Sequence, residues 1–178
     1  MKSFTIKLFP TAAYIIKIER WEEYKDYLLT AIKDQKDPAY RPSEGYYTDY
    51  GLEQSWRKTI WEDYLEPQIR PLLDGTNTKL QDIWAQQYIN QASFSAHRHQ
   101  PVGYSAVFYA SFDPKVHSAT SLFRPFVDPN DIKNTQDVYT PEVVEGDLLV
   151  FPSWMLHQAL PSNSQVPRTI IAFNLEPK

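Results

Sequence analysis

The pattern of apolar and polar positions changes character near residue 79. Before it, two stretches space large apolar side chains three or four apart. "RWEEYKDYLLTAIKD" does so with Trp21, Tyr24, Leu28 and Ile32, and "LEQSWRKTIWEDYLEPQIRPLL" with Trp56, Ile60 and Tyr64. That interval returns side chains to one side of a helix, so both stretches are expected to be amphipathic helices whose aromatic stripes pack into a core. Pro67 and Pro71 are expected to limit the second. The opening "FTIKLFPTAAYIIKI" mixes β-branched and aromatic residues and is broken at Pro10, which predicts one or two short strands. "QKDPAYRPSEGYYTDYG", dense in Pro, Gly and Tyr, predicts a loop.

From Lys79 onward the chain offers "LQDIWAQQYINQ", "YSAVFYASF", "SLFRPFV", "EVVEGDLLVFPSW" and "RTIIAFNLE", short apolar and aromatic runs separated by polar or proline-containing turns. Short strands without helices between them predict an antiparallel sandwich or barrel. We therefore expect one domain over residues 1–178, mainly β with supporting helices: residues 1–78 give helical and loop support, and 79–178 form the β core.

Composition narrows the chemistry. At 178 residues, 22% charged and 15% aromatic, the chain has a globular composition and the size of a single domain. No apolar run approaches the length of a bilayer span, and the N-terminal stretch breaks into charge too soon for an export signal, so a cytoplasmic protein without membrane partners is expected. The chain has no cysteine, which removes disulfides, thiolate metal ligands and a thiol nucleophile, so any metal must be held by nitrogen and oxygen. The net charge of −4 and the scattered Lys and Arg argue against nucleic acid as the main partner.

Four histidines are present, and two of them, His97 and His99, stand two apart in "SAHRHQPVGYSAVFYA". Along a strand, residues two apart share a face, so both imidazoles can aim at one point. In "EGDLLVFPSWMLHQAL" a core strand and a Pro-Ser-Trp bend lead to His157, which completes a three-nitrogen site if the two strands are neighbours. Arg168 heads the apolar run "RTIIAFN", where a buried guanidinium requires an anion or an acidic neighbour. His117, in "DPKVHSATSLF", has no partner at metal spacing and is assigned a structural or surface role, and Asp113 in "FDP" is read as the start of a turn.

The order HxH, "SAVFY", "GDLLVFPSWxxH" and "R…FN" resembles the Fe(II)- and 2-oxoglutarate-dependent oxygenases, most closely the prolyl-hydroxylase-like branch and its small bacterial and phage members. "LFPTAAY" is similar to the opening of that small group. The resemblance covers about Trp84 to Asn174 well and the first half loosely. It implies a double-stranded β-helix, or jelly roll, with Fe(II), 2-oxoglutarate as cosubstrate, O2, and ascorbate as an accessory reductant. His97 matches the first metal-binding histidine, His157 the distal one, and His99 stands where most relatives carry Asp or Glu. Arg168 matches the residue that binds the far carboxylate of 2-oxoglutarate, with Tyr109 beside it and Tyr88 as a further cosubstrate-lining tyrosine. Ile170 stands where relatives often have the serine of an R-x-S motif. The implied reaction hydroxylates a C–H bond of a peptide or small-molecule substrate and releases succinate and CO2. The same resemblance is compatible with a homodimer and with a phage protein acting in a bacterial host.

Two other readings fit the same residues. A cupin-like or zinc metalloprotein would use the three histidines without 2-oxoglutarate, although "QPVGY" lacks the glutamate cupins usually supply and Arg168 would go unexplained. A non-catalytic binding module would use "YRPSEGYYTDYGLEQSW" as its recognition surface, a stretch that serves equally as an enzyme's substrate lid.

Overall fold

Period-two alternation along four long strands decides the architecture. The structure, a computed structural model, describes residues 11–34, 45–125 and 137–178. In chain order the elements are β1 (Tyr14–Lys17), α1 (Trp21–Asp34), β2 (Tyr46–Thr48), α2 (Trp56–Lys58), a π-helical stretch (Thr59–Leu65), α3 (Glu66–Thr76), β3 (Thr78–Tyr88) and β4 (Phe94–His97). They continue with β5 (Tyr104–Ser111), β6 (Thr120–Phe123), β7 (Val138–Tyr139), β8 (Asp147–Pro152), β9 (His157–Ala159) and β10 (Arg168–Pro177). The strands form a six-stranded sheet, β1-β8-β5-β10-β3-β2, and a four-stranded sheet, β4-β9-β6-β7, with antiparallel pairing throughout. Two such sheets with helices on the larger one make the expected jelly roll.

The larger sheet is covered on both faces. Ile83, Ala85, Phe108, Val150, Ile171 and Phe173 point to the helices, where Leu28, Ile32, Trp56 and Ile60 meet them in one core. Their sequence neighbours Val107, Tyr109, Leu149, Phe151 and Ile170 point the other way, into a second core shared with the smaller sheet. Burial on both sides explains why these strands read as continuous apolar runs. α1 buries Trp21, Leu28 and Ile32 at the expected spacing. Trp21 meets Phe108 edge to face, with ring centroids 4.8 Å apart, and its indole N–H donates to the Ala110 carbonyl.

Three details depart from the pattern-based expectations. The second helical run continues past both prolines to Thr76. Ahead of Pro67 it widens into the π-helical stretch, where the Glu66 N–H bonds to the Trp61 carbonyl five residues back. The wider turn gives a proline ring room, and Pro67 then falls in the first turn of α3, where an N–H is dispensable. Pro67 and Pro71 are both on the exposed side, and the helix ends instead at Asn77, left-handed at φ 51°. Within the expected loop, Tyr46–Thr48 forms β2 at the edge of β3, a long-range pairing that local composition does not report. β1 and β2 thereby add first-half strands to the larger sheet. Third, β4 stops at His97, so His99 lies beyond the strand. The predicted strand residues up to Pro10, the loop residues 35–44 and the end of "SLFRPFV" lie outside the described residues. Among the described residues no helix is long and apolar enough to cross a membrane.

Phe108→Ala, at a fully buried position that joins helices to sheet, is expected to lower unfolding free energy by about 4 kcal/mol. Urea denaturation should show a lower midpoint at unchanged slope. Because Phe108 faces away from the histidines, metal binding by the folded variant is expected to match wild type, and a loss below about 1 kcal/mol would contradict this account of the core.

Candidate active site

His97 is opposite His157 in the β4–β9 ladder, and this pairing builds the centre of the site. The segment after β8 delivers His157: β8 ends at Pro152, the Met155 N–H turns back to the Pro152 carbonyl, and β9 starts two residues later. The same bend captures His99. Its backbone N–H donates to the Ser153 carbonyl at 2.9 Å, and the Ser153 N–H donates to the Gly103 carbonyl at 3.1 Å. Gly103 is at φ +83°, and a Cβ there would lie 2.1 Å from the Leu175 carbonyl oxygen, so only glycine fits.

The three imidazoles converge, each offering a nitrogen within 4.8 Å of the others. His97 Nδ1 lies 2.8 Å from the Ser95 carbonyl and His157 Nδ1 lies 2.9 Å from the Met155 carbonyl. A carbonyl only accepts, so both Nδ1 atoms donate and Nε2 is the free nitrogen of each ring. His99 stacks on His157, with centroids 5.2 Å apart at 11°, and on Trp84 at 6.1 Å. Burial, reinforced by the neighbouring His97, lowers the His99 pKa to about 4. Burial also dominates at His157, lowered to about 3, where the Met155 carbonyl opposes the effect and His97 and His99 add to it. Both rings are therefore neutral near pH 7, the form that binds a metal. Among the described residues no carboxylate joins the group.

A cleft between the sheets carries Trp84, Gln86 and Tyr88 on one wall and Phe151 and Ile170 on others, with the histidines at its edge. Arg168 is opposite Tyr88 in the β10–β3 ladder, only 2% exposed, with its Cζ 4.4 Å from the Tyr88 ring centroid. Nη1 donates to the Ser118 carbonyl, while Nε and Nη2 have no partner. Among the described residues no carboxylate pairs with this guanidinium, so the acidic neighbour considered from sequence is absent there. Its burial lowers its pKa, opposed by Tyr88 and Tyr109. Tyr109 is buried beside it, and its hydroxyl accepts the Thr120 N–H at 3.0 Å, leaving its own proton to donate. Tyr88 lines the cleft, whereas Arg168 and Tyr109 are buried without lining it.

His117 is structural. Its Nδ1 accepts the Asp113 N–H at 3.0 Å and its Nε2 donates to the Val166 carbonyl at 2.9 Å, while Asp113 accepts from Lys115 in a turn. Neither residue joins the histidine cluster. Sequence reading missed Gln86, whose carboxamide bridges the hydroxyl of Tyr88 in the cleft wall and that of Tyr46 on β2, and the chain in which Ser105 Oγ donates to Asn174 Oδ1 at 2.9 Å and meets Ser153 Oγ at 3.1 Å. The alternation Trp84, Gln86, Tyr88 was the available signal, since all three share the face of the cleft.

Comparison with known proteins identifies the fold and the family. A prolyl-4-hydroxylase from Pseudomonas putida superposes with a TM-score of 0.60 at 14% identity, covering 94% of each chain. The viral collagen prolyl hydroxylase of Paramecium bursaria Chlorella virus-1, solved as a 2-oxoglutarate complex, gives 0.64 at 12% identity, covering 93% of this chain and 96% of the other. HygX from Streptomyces hygroscopicus, with nickel and 2-oxoglutarate bound, gives 0.65 at 12% identity over 94% and 84%. At such identities these likenesses establish the shared fold. No curated protein sequence matches the chain. A family model of 2OG-Fe(II) oxygenases matches residues 82–174, more than half of the chain and the whole stretch from the cleft wall of β3 to Asn174. The readings without 2-oxoglutarate are accordingly not favoured. The chain belongs to the 2OG-Fe(II) oxygenase family, an enzyme family that uses Fe(II), 2-oxoglutarate and O2.

Proposed function

We propose that the oxygenase reaction is run by His97, His99 and His157 as metal ligands and by Arg168, Tyr109 and Tyr88 as the cosubstrate pocket, within one domain spanning residues 1–178. The observation that carries this reading is Arg168, a buried cation with two uncommitted nitrogens and no carboxylate partner among the described residues. Leaving such a group unpaired is unfavourable, and a dicarboxylate reaching in from the cleft relieves it. The far carboxylate of 2-oxoglutarate is the ligand of that chemistry, and Tyr109 has a hydroxyl proton to add.

The donor set suits Fe(II). Three imidazoles, two of them oriented by backbone carbonyls, leave positions open for the cosubstrate and O2. Because His99 replaces the usual carboxylate, the ligand set is one unit more positive than in the common two-histidine, one-carboxylate arrangement, which favours an anionic cosubstrate. When bound, Fe(II) supplies the redox chemistry by which O2 and 2-oxoglutarate become succinate and CO2 while a substrate C–H becomes C–OH. The protein's own share is to hold His99 and His157 neutral, fix the direction of the imidazoles, anchor the dicarboxylate, and exclude water with the aromatic walls of the cleft. The primary substrate is an organic molecule, peptide or small, that presents a C–H bond to the histidine cluster in the cleft.

Anaerobic addition of Fe(II) and 2-oxoglutarate to wild type is expected to give a weak visible charge-transfer band. Arg168→Ala should require at least about tenfold more 2-oxoglutarate to reach it, given the strength of charge-assisted pairs, and an unchanged titration would refute the anchoring role. His157→Ala should weaken Co(II) binding by more than about 100-fold, read from the d–d spectrum, since even groups that merely orient ligands are worth 10–100-fold. For the metal-free protein, the lowered pKa values of His99 and His157 set a pH dependence. Below about pH 6.5 the unfolded chain takes up protons that the native rings refuse, so stability should fall as pH drops from there toward 4. Thermal unfolding of His157→Gln should show a shallower decline over that window, and an equal slope would show that His157 is not held neutral.

A further inference from the structure

Gln86 is engaged at both ends of its side chain. Its Nε2 donates to the Tyr46 hydroxyl at 3.0 Å, and its Oε1 accepts from the Tyr88 hydroxyl at 3.0 Å. The two phenol rings it joins come from different strands, β2 and β3, with centroids 5.2 Å apart and tilted by 53°. One of these rings, Tyr88, is the ring against which the Arg168 guanidinium lies. Gln86 thus fixes the direction of the ring that lines the cleft and covers the guanidinium.

The choice of residue also follows from charge. A glutamate here would accept from both phenols, yet its carboxylate would sit on the wall shared with Tyr88 and compete for Arg168. A methionine would fill the volume and leave the buried Tyr88 hydroxyl without its acceptor. The carboxamide satisfies both hydroxyls and leaves the guanidinium charge for an incoming anion.

We propose that Gln86 is a positioning residue for 2-oxoglutarate: by clamping the Tyr46 and Tyr88 hydroxyls it holds the Tyr88 ring against Arg168, so that Nε and Nη2 are aimed and uncommitted before the cosubstrate arrives. The proposal rests on the assignment of Arg168 as the carboxylate anchor given above. Gln86 acts through Tyr88, and the consequence is non-additivity: once the Tyr88 hydroxyl is gone, nothing remains for Gln86 to direct.

The test is calorimetric titration of Mn(II)-loaded protein with 2-oxoglutarate under nitrogen, for wild type, Gln86→Met, Tyr88→Phe and the double variant. Gln86→Met should raise Kd about tenfold, the magnitude of one buried net hydrogen bond, while Mn(II) affinity stays within about twofold, because His97 and His157 are oriented by their own carbonyls. Adding Gln86→Met to Tyr88→Phe should raise Kd by less than about twofold more. Should Gln86→Met fail to fold, Tyr46→Phe, which retains Gln86 and Tyr88, should raise Kd about threefold. A wild-type Kd in Gln86→Met, or in Tyr46→Phe where it replaces it, overturns the proposal, as do effects that simply multiply in the double variant. If Arg168→Ala binds 2-oxoglutarate as wild type does, the anchoring assignment falls, and the proposal with it; if Arg168→Ala loses binding and Gln86→Met does not, the proposal falls alone.

Discussion

The cleft wall and the buried arginine depend on the alternation of side chains along β3, β5, β8 and β10. Because successive residues leave a strand on opposite faces, each of these strands serves two environments at once. One set, including Ile83, Phe108, Val150 and Ile171, anchors the helices. The other set carries the Trp84, Gln86 and Tyr88 wall together with Tyr109, Ile170 and Arg168. A slip of one residue in β10 would turn Arg168 into the helical core and Thr169 to the opposite face, so the register that stabilises the fold is the register that sets Arg168 against Tyr88.

The two poles of the cleft are built on different principles. At the metal end, cross-strand pairing of His97 with His157 and the Ser153 bend bring three imidazoles together, and backbone carbonyls set which nitrogen each of two rings presents. The energetic cost of burying neutral imidazole is modest, and burial works in favour of function by keeping protons off. At the other end a permanent charge is buried among Tyr88, Tyr109 and one carbonyl. There the unfavourable desolvation is incompletely offset by the protein, which leaves Nε and Nη2 free for the anion proposed above.

Much of this was legible in the chain. The helix of Trp21 to Ile32 and the five apolar runs after Lys79 follow from periodicity, because each buries area on a fixed side whatever its neighbours are. The HxH pair, FPSW-x-x-H and the isolated arginine stood out because their residue types are poor choices for a core without a job, and the family resemblance is what joined them into one expected site. Local pattern misjudged the helix beyond Pro67, where a π-helical widening accommodates what an α-helix would not, and it missed β2, whose partner is forty residues away. His99 illustrates the same limit: it reaches the cluster through a bond to Ser153 and not through continuation of β4.

The sequence by itself determined which residues are apolar, at what period, and which few carry nitrogen ligands or a buried charge, since those are properties of the side chains and their spacing. Only the tertiary structure decided that His97 is opposite His157, that Arg168 has no acidic partner among the described residues, that His117 is consumed by Asp113 and Val166, and that Gln86 holds two tyrosines at once. Each of these is a relation between segments far apart in the chain, set by strand register and by the closing of two sheets over one cleft, and no local interaction energy encodes it.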